Sequence, residues 1–108
     1  MAAALDSWHD IIRSGDASAL DTLIADDAVF HSPVVHTPQV GKAIVVKYLT
    51  AAAKVLLNGS FHYVREMVDE RQAMLEFEVT IDDIVINGVD HICWNDNNQI
   101  IEFKVWVR

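Results

Sequence analysis

The sequence predicts one small α+β domain, in which N-terminal helices close a curved antiparallel sheet around a pocket. Two observations predict this class. Apolar residues recur at helical spacing through much of the first half, whereas the second half is rich in Val, Ile, Phe and Trp between turn-forming clusters. The 108 residues fit a single domain over 1–108, and a hydrophobic content of 52% is enough to build a core.

The first half is predicted to be helical except for one short strand and one loop. Gly15 is a natural end for the first helix, Asp16 can cap a short second helix, and Asp26-Asp27 ends that second helix. The remaining predicted elements are helices over 2–13 and 42–57, a loop with both prolines over 32–41, and strands over 28–31, 61–68, 73–86, 89–95 and 99–107.

Turn residues and alternation organise the predicted strands. Asn87-Gly88 is predicted to be a hairpin turn, because both residues tolerate positive φ, and Asp96-Asn97-Asn98 is predicted to be the next turn. Alternation places Asp90 in one row with Ile92 and Trp94, but leaves open which row faces the helices. In the last strand, the row expected to meet the helices is Ile101, Phe103, Val105 and Val107, and the opposite row is Ile100, Glu102, Lys104 and Trp106.

Charge and cysteine content exclude several classes of partner. The net charge of −8 and pI near 4.8 argue against nucleic acid and anionic membranes, because both bind cationic surfaces. The N-terminus lacks the basic start and apolar run of a secretion signal, and no apolar stretch reaches membrane-spanning length. A single cysteine, Cys93, cannot form an internal disulfide. We therefore expect a soluble cytoplasmic protein without a cofactor.

Several motifs follow one another along nearly the whole chain: WHDIIRSGD from Trp8, LDTLIADDA from Leu20, VFHSP ending at Pro33, GVDH around Asp90, and IIEF ending at Phe103. In order and spacing they resemble nuclear transport factor 2-like domains, the superfamily that includes SnoaL-like proteins and ketosteroid isomerases. The resemblance implies a cone-shaped, cystatin-like α+β fold with a mixed, mostly antiparallel sheet and an apolar pocket at its open end. It also implies a homodimer through the convex face of the sheet.

The isomerase branch of this superfamily implies roles for three positions. Trp8 stands where that branch has an oxyanion-donating tyrosine, and Ser32 stands where it has the aspartate that acts as general base. Asp90 matches a protonated aspartate that donates to the oxyanion. Since a serine cannot abstract a proton unaided, ketosteroid isomerase activity itself is not expected, while the pocket is.

The candidate site residues follow from these positions. Asp90 and His31 are the candidate catalytic residues, Asp90 as a carboxyl in an apolar cavity and His31 as a replacement base next to Ser32. The alternative for Asp90 is a carboxylate bonded to nearby backbone or to solvent. The alternative for His31 is an exposed histidine on the rim, and the alternation of strand side chains favours it. Candidate ligand-binding residues are Trp8, Ser32, His36, Tyr48, Trp94 and Phe103. The spacing of the five histidines and sixteen acids predicts no metal site.

Three functions stay open at this point. The protein is an enzyme that acts on a small, largely apolar molecule by acid–base chemistry, as an isomerase, cyclase, dehydratase or hydrolase. Alternatively, it binds such a molecule without catalysis, or it is a dimeric scaffold with a vestigial pocket. The absence of an evident general base at Ser32 favours the second and third functions over a ketosteroid isomerase.

Overall fold

The computed structural model describes residues 3–33 and 36–107, in which helices pack on one face of a curved sheet. The helices are α1 (Ala3–Ser14), α2 (Leu20–Leu23), which follows a 3₁₀ turn (Ala17–Ala19), and α3 (Lys42–Leu56). The strands are β1 (Ile24–His31), β2 (Gln39–Val40), β3 (His62–Asp69), β4 (Gln72–Ile81), β5 (Ile84–Trp94) and β6 (Ile100–Val107). The predicted α+β class is confirmed.

The sheet formed by the described residues is mixed, as predicted. Its strand order is β2-β1-β6-β5-β4-β3. The pairing of β1 with β6 is parallel, and every other pairing is antiparallel. The last strand in the chain therefore lies inside the sheet, between the first half of the chain and the β3–β5 meander.

Helix α1 is amphipathic and covers the concave face of the sheet. Leu5, Trp8 and Ile11 are buried in the core at helical spacing. Gly15 ends the helix as predicted: its φ is +73°, and its N–H donates to the carbonyl oxygen of Ile11 at 2.8 Å. The predicted first residue of this helix, Ala2, lies outside the described residues.

The segment after α1 begins as predicted and then differs. The Oδ1 atom of Asp16 accepts a hydrogen bond from the Ser18 N–H at 3.0 Å, which caps the 3₁₀ turn. However, the helix ends at Leu23, and β1 starts four residues before the predicted strand, so Asp26-Asp27 does not mark a helix end. A register shift in the β1–β6 pairing lets these two carboxylates face solvent while flanking residues stay buried.

The hairpin between β4 and β5 is not where the Asn-Gly pair predicts it. Asp82 and Asp83 form the turn, with φ of +50° and +66°, whereas Gly88 lies inside β5 opposite Phe77. A Cβ at residue 88 would lie 2.5 Å from Phe77 Cζ and 2.6 Å from the carbonyl oxygen of Trp106. Gly88 is therefore needed for close packing under a ring rather than for a turn. Residues 95–98 do form the predicted next turn, in which Asn98 adopts φ of +59°.

The faces of the last two strands are mostly as predicted. Phe103 is buried against the helices, and Asp90, Ile92 and Trp94 share that side, which settles the row that alternation left open. The exception is Ile100, which was expected on the outer face and is only 1% exposed. A register shift next to Trp94 in the β5–β6 pairing turns it inward.

None of the helices within 3–33 and 36–107 is both long enough and apolar enough to cross a membrane. The cytoplasmic location stays a prediction.

Candidate ligand-binding cavity

A cavity of about 470 Å³ lies between the helices and the concave face of the sheet. Helices α1 and α3 and strands β1, β4, β5 and β6 contribute its wall, which is almost entirely apolar. The aromatic rings on this wall are those of Trp8, Phe30, Tyr48, Phe61, Phe77 and Phe103. Its volume lies within the range of small-molecule sites in proteins, and its lining is typical of them.

Asp90 is the one formally charged side chain among the described residues that line this cavity. It lies on β5, between Leu75 of β4 and Val105 of β6, and only 6% of its surface is exposed. Side chains of a β-strand alternate between its two faces. Asp90 is in the same row as the buried Ile92, so its carboxyl lies in the interior.

Two hydrogen bonds join Asp90 to the first helix through a tyrosine. The Trp8 indole N–H donates to the Tyr63 hydroxyl oxygen at 2.8 Å, and the Tyr63 hydroxyl donates to Asp90 Oδ2 at 2.6 Å. The second oxygen of Asp90, Oδ1, receives no hydrogen bond from the described residues. Every fully buried polar side-chain atom of the described residues has a hydrogen-bond partner. Oδ1 has none, so it is not fully buried, and because Asp90 lines the cavity, Oδ1 is accessible from that side.

Burial controls the protonation of this pair. It raises the pKa of Asp90 to about 7, although the hydrogen bond from Tyr63 acts in the opposite direction. Burial also raises the pKa of Tyr63 well above its ordinary value, and the neighbouring Asp90 carboxylate adds to this rise. Near neutral pH, Asp90 therefore exchanges its proton while Tyr63 keeps its own.

A second contact between α1 and β3 flanks the tyrosine. His9 Nε2 lies 2.8 Å from Glu66 Oε1, and the His9 ring packs edge-on against the Tyr63 ring, with 5.7 Å between their centroids. This contact helps to hold the edge strand β3 against the helix at the point where Tyr63 reaches inward.

Tyr63 was missed at the sequence level. It lies on an edge strand whose other residues are exposed, so the strand shows no clear buried row. Tyr63 pairs with Phe77 on β4, and this pairing places Tyr63 on the inner face. Recognising Tyr63 from the sequence would have required this strand register.

The structure brings five of the predicted site residues to the cavity wall: Asp90, Trp8, Ser32, Tyr48 and Phe103. Trp8 forms part of the wall, but its N–H is directed to Tyr63 rather than into the cavity.

His31, His36 and Trp94 do not line this cavity. His31 follows the inward-facing Phe30, so it lies on the opposite face of the sheet, where Nε2 is 3.0 Å from Glu102 Oε2. His31 therefore lies away from the cavity in which a replacement base is predicted. His36 is exposed on the loop before β2. Trp94 instead borders a shallower hollow of about 390 Å³ beside the Arg71–Asp96 ion pair.

Cys93 also lies on the outer face of the sheet, where its sulfur is 3.7 Å from His91 Nε2 and 3.8 Å from Glu102 Oε1. Burial, and then the adjacent Glu102, raise the pKa of the Cys93 thiol, which keeps it protonated and unreactive. Within the described ranges, no group of three or more His, Cys, Asp or Glu residues is arranged to hold a metal ion.

Solved structures share this fold over nearly the whole of this chain. The chain is 36% identical to a steroid delta-isomerase from Pseudomonas aeruginosa, with a TM-score of 0.92, covering 99% of this chain and 78% of that one. It is 27% identical to an uncharacterized protein with a cystatin-like fold from Silicibacter pomeroyi, with a TM-score of 0.89, covering 100% and 75%. An NTF2-like protein of unknown function from Mesorhizobium loti shares the fold at 22% identity and a TM-score of 0.84, covering 97% and 88%.

These likenesses define the class of protein as an NTF2-like, cystatin-like α+β domain. The family model for the SnoaL-like domain matches residues 5–103, so the chain belongs to the SnoaL-like domain family. A comparison with curated proteins gives no match.

The raised pKa of Asp90 predicts a specific dependence of stability on pH. Between about pH 4 and 7 the folded protein keeps a proton that the unfolded chain releases, so the free energy of unfolding falls as pH rises through this window. A rise from 3.8 to about 7 corresponds to a loss of about 4 kcal/mol. Asp90→Asn keeps an oxygen acceptor for Tyr63 but has no proton to release. Its free energy of unfolding should therefore fall much less than that of the wild type over the same pH range.

Urea unfolding at several pH values from 4.5 to 8.5 measures the effect. Asp69→Asn, at an exposed aspartate at the end of β3, serves as the matched control and should decline like the wild type. Parallel pH profiles for Asp90→Asn and wild type would show that Asp90 has no raised pKa.

Proposed function

We propose that this SnoaL-like protein binds a small, largely apolar molecule in its central cavity and holds the polar group of that molecule at Asp90. The observation that carries the proposal is a carboxyl group, 6% exposed, on the wall of an otherwise apolar cavity of about 470 Å³. Apolar pockets with a few polar groups that fix orientation are typical of small-molecule sites.

The hydrogen bonds around Asp90 support a role in orienting a ligand. Tyr63 holds Oδ2, so the carboxyl has a defined direction, and Oδ1 is left for a group in the cavity. A protonated Asp90 can donate to a ligand oxygen, and an ionised Asp90 can accept from a ligand donor. A pKa of about 7 makes both forms accessible at neutral pH.

The volume of the cavity supports binding over a purely structural role. A vestigial pocket would be filled by the bulky residues around it, whereas here Trp8 packs edge-on against Phe103, with 4.9 Å between ring centroids, and leaves the space open. An apolar space of this size contributes nothing to stability, because its wall lacks contacts on one side.

Filling the cavity should abolish binding. Ala52 lines it from α3, and Ala52→Trp places an indole in the space that the ligand needs. Val55 lies on the same helix, is 58% exposed and does not line the cavity, so Val55→Trp is the matched control.

Thermal-shift measurements with a panel of small apolar ketones, alcohols and amines test this. Compounds that stabilise the wild type and Val55→Trp should leave Ala52→Trp unchanged. Equal shifts for both variants would place the binding site elsewhere, and an absence of any shift in wild type would contradict the proposed function.

Steroid isomerisation is a second candidate function, favoured by the likeness to the steroid delta-isomerase. Asp90 would act as the acid that donates to the steroid oxygen. Ser32, which lines the cavity, stands where the isomerase branch has its general base. A serine there leaves the proton-transfer step without a base, so turnover by the wild type should be slow or undetectable.

Restoring a carboxylate at this position should raise the isomerisation rate. A general base contributes about 100-fold or more to a proton transfer, so Ser32→Asp should exceed the wild type by about that factor. The isosteric Ser32→Asn variant, which has no base, is the control. The reaction is followed by the absorbance of the conjugated ketone. If the Asp and Asn variants are equally slow, the cavity does not hold a steroid in a reactive orientation.

A second copy of the chain is the proposed protein partner, bound through the convex face of the sheet. This face carries large apolar side chains that are 37–67% exposed: Met67, Met74, Val85 and Trp106. Light scattering should give twice the 12.1 kDa chain mass at micromolar concentration. Val85→Glu should shift the mass towards the monomer, while Val55→Glu should not. A monomeric wild type would overturn the proposed dimer.

A further inference from the structure

We infer that the ligand held at Asp90 is a protonated amine with an apolar body, whose ammonium group pairs with Asp90 Oδ1. This rests on the proposed binding function and names the ligand class for the same cavity.

Aromatic side chains share the cavity wall with the carboxyl. On the inner face of the sheet, Phe77 of β4 and Phe103 of β6 occupy positions diagonal to Asp90, given its pairing with Leu75 and Val105. Trp8 contacts Phe103 on the same wall. Aromatic rings attract cations through the negative potential of their faces, so a carboxylate among such rings suits an ammonium group.

The wall offers no competing cation. None of its described residues is Lys, Arg or His, and the nearby His9 is bonded to Glu66. A buried carboxylate without a cationic partner is unfavourable, and a ligand ammonium supplies that partner. The net charge of −8 also favours cations over anions near the protein. An anionic ligand would find no basic side chain on this wall.

The hydrogen bonds of Tyr63 prepare Asp90 as an acceptor. The hydroxyl accepts from Trp8 and donates to Oδ2, so its proton is committed to the carboxyl. Donation to a carboxylate stabilises the ionised form. Oδ1, which opens onto the cavity, is then the acceptor for an ammonium N–H.

The pH dependence of binding separates an amine from a neutral carbonyl compound. The titratable side chain that faces Asp90 is Tyr63 of β3, which stays protonated, with Glu66 and His9 behind it. Tyr48 lines the cavity from α3, and the paired residues Leu75 and Val105 are apolar. An alkyl amine stays charged up to about pH 10. Its binding should therefore strengthen as Asp90 ionises, whereas a ketone that accepts from protonated Asp90 should bind more weakly as pH rises.

Matched compounds provide the test: 1-adamantanamine against 2-adamantanone, and 2-aminotetralin against 2-tetralone, each pair sharing a carbon skeleton. Affinities of the full chain are measured by calorimetry at pH 5.5 and 8.5. With the pKa of Asp90 at about 7, the ionised fraction predicts about thirtyfold tighter amine binding at the higher pH. The ketones should show no such gain.

Two variants connect the effect to Asp90. Asp90→Asn should weaken amine binding at pH 8.5 by about tenfold or more and remove its pH dependence. Tyr63→Phe keeps the carboxyl and removes the donor that stabilises its ionised form, so the midpoint of the amine profile should move to higher pH. This second variant keeps the test valid if Asp90→Asn folds poorly.

The outcomes distinguish this inference from the function on which it rests. Suppose that ketones bind, that Ala52→Trp abolishes their binding, and that the amines do not bind. This result overturns the inference of an amine ligand and leaves the proposed binding in the cavity intact. Amine binding that is insensitive to pH and to both variants also overturns it. If neither compound of either pair binds at either pH, the inference and the proposed function both fail.

Discussion

The hydrogen bond from Tyr63 to Asp90 is the interaction on which the arrangement of the cavity depends. It joins β3, at the edge of the sheet, to β5, near its centre, across the inner face, and Trp8 extends the link to α1. Each partner is a polar group in an apolar interior and would be costly to leave unpaired. The same three side chains therefore satisfy one another and link the edge strand to the first helix.

This arrangement has a chemical consequence, because it holds a carboxyl in the interior without neutralising it. A salt bridge would have kept Asp90 ionised at any physiological pH, and full isolation would have kept it protonated. A single neutral donor leaves it between these limits, with a pKa of about 7. The cavity thus presents a group that exists in both its protonated and its ionised form near neutral pH.

Much of the fold was predictable because its signals are local, and the errors have identifiable causes. Gly15 and Asp16 act where helix-end chemistry predicts, since their effects depend only on neighbouring residues. Asn87-Gly88 failed as a turn signal because a tertiary contact, the Phe77 ring, requires a glycine at that point of β5. Local propensity alone cannot distinguish these two uses of glycine.

The candidate site was predictable only in part, for a similar reason. The family resemblance identifies Asp90, whereas alternation alone does not decide which row of β5 faces inward. Tyr63 carries no signal within its own strand, since only the pairing with β4 shows that it turns inward. His31 was proposed from its position next to Ser32, but one residue along a strand is enough to place a side chain on the other face.

The position of β6 also bears on how the chain reaches this structure. Strand β6 follows the other strands in the sequence and lies between β1 and β5, so β1 and β2 join the β3–β5 meander only through β6. The β1–β6 pairing closes a loop of most of the chain length, an entropic cost that slows folding. Phe103, Val105 and Val107 line the cavity from this strand. The cavity is therefore complete only once β6 has paired with both neighbours, and a fold without that pairing exposes the apolar faces of both halves.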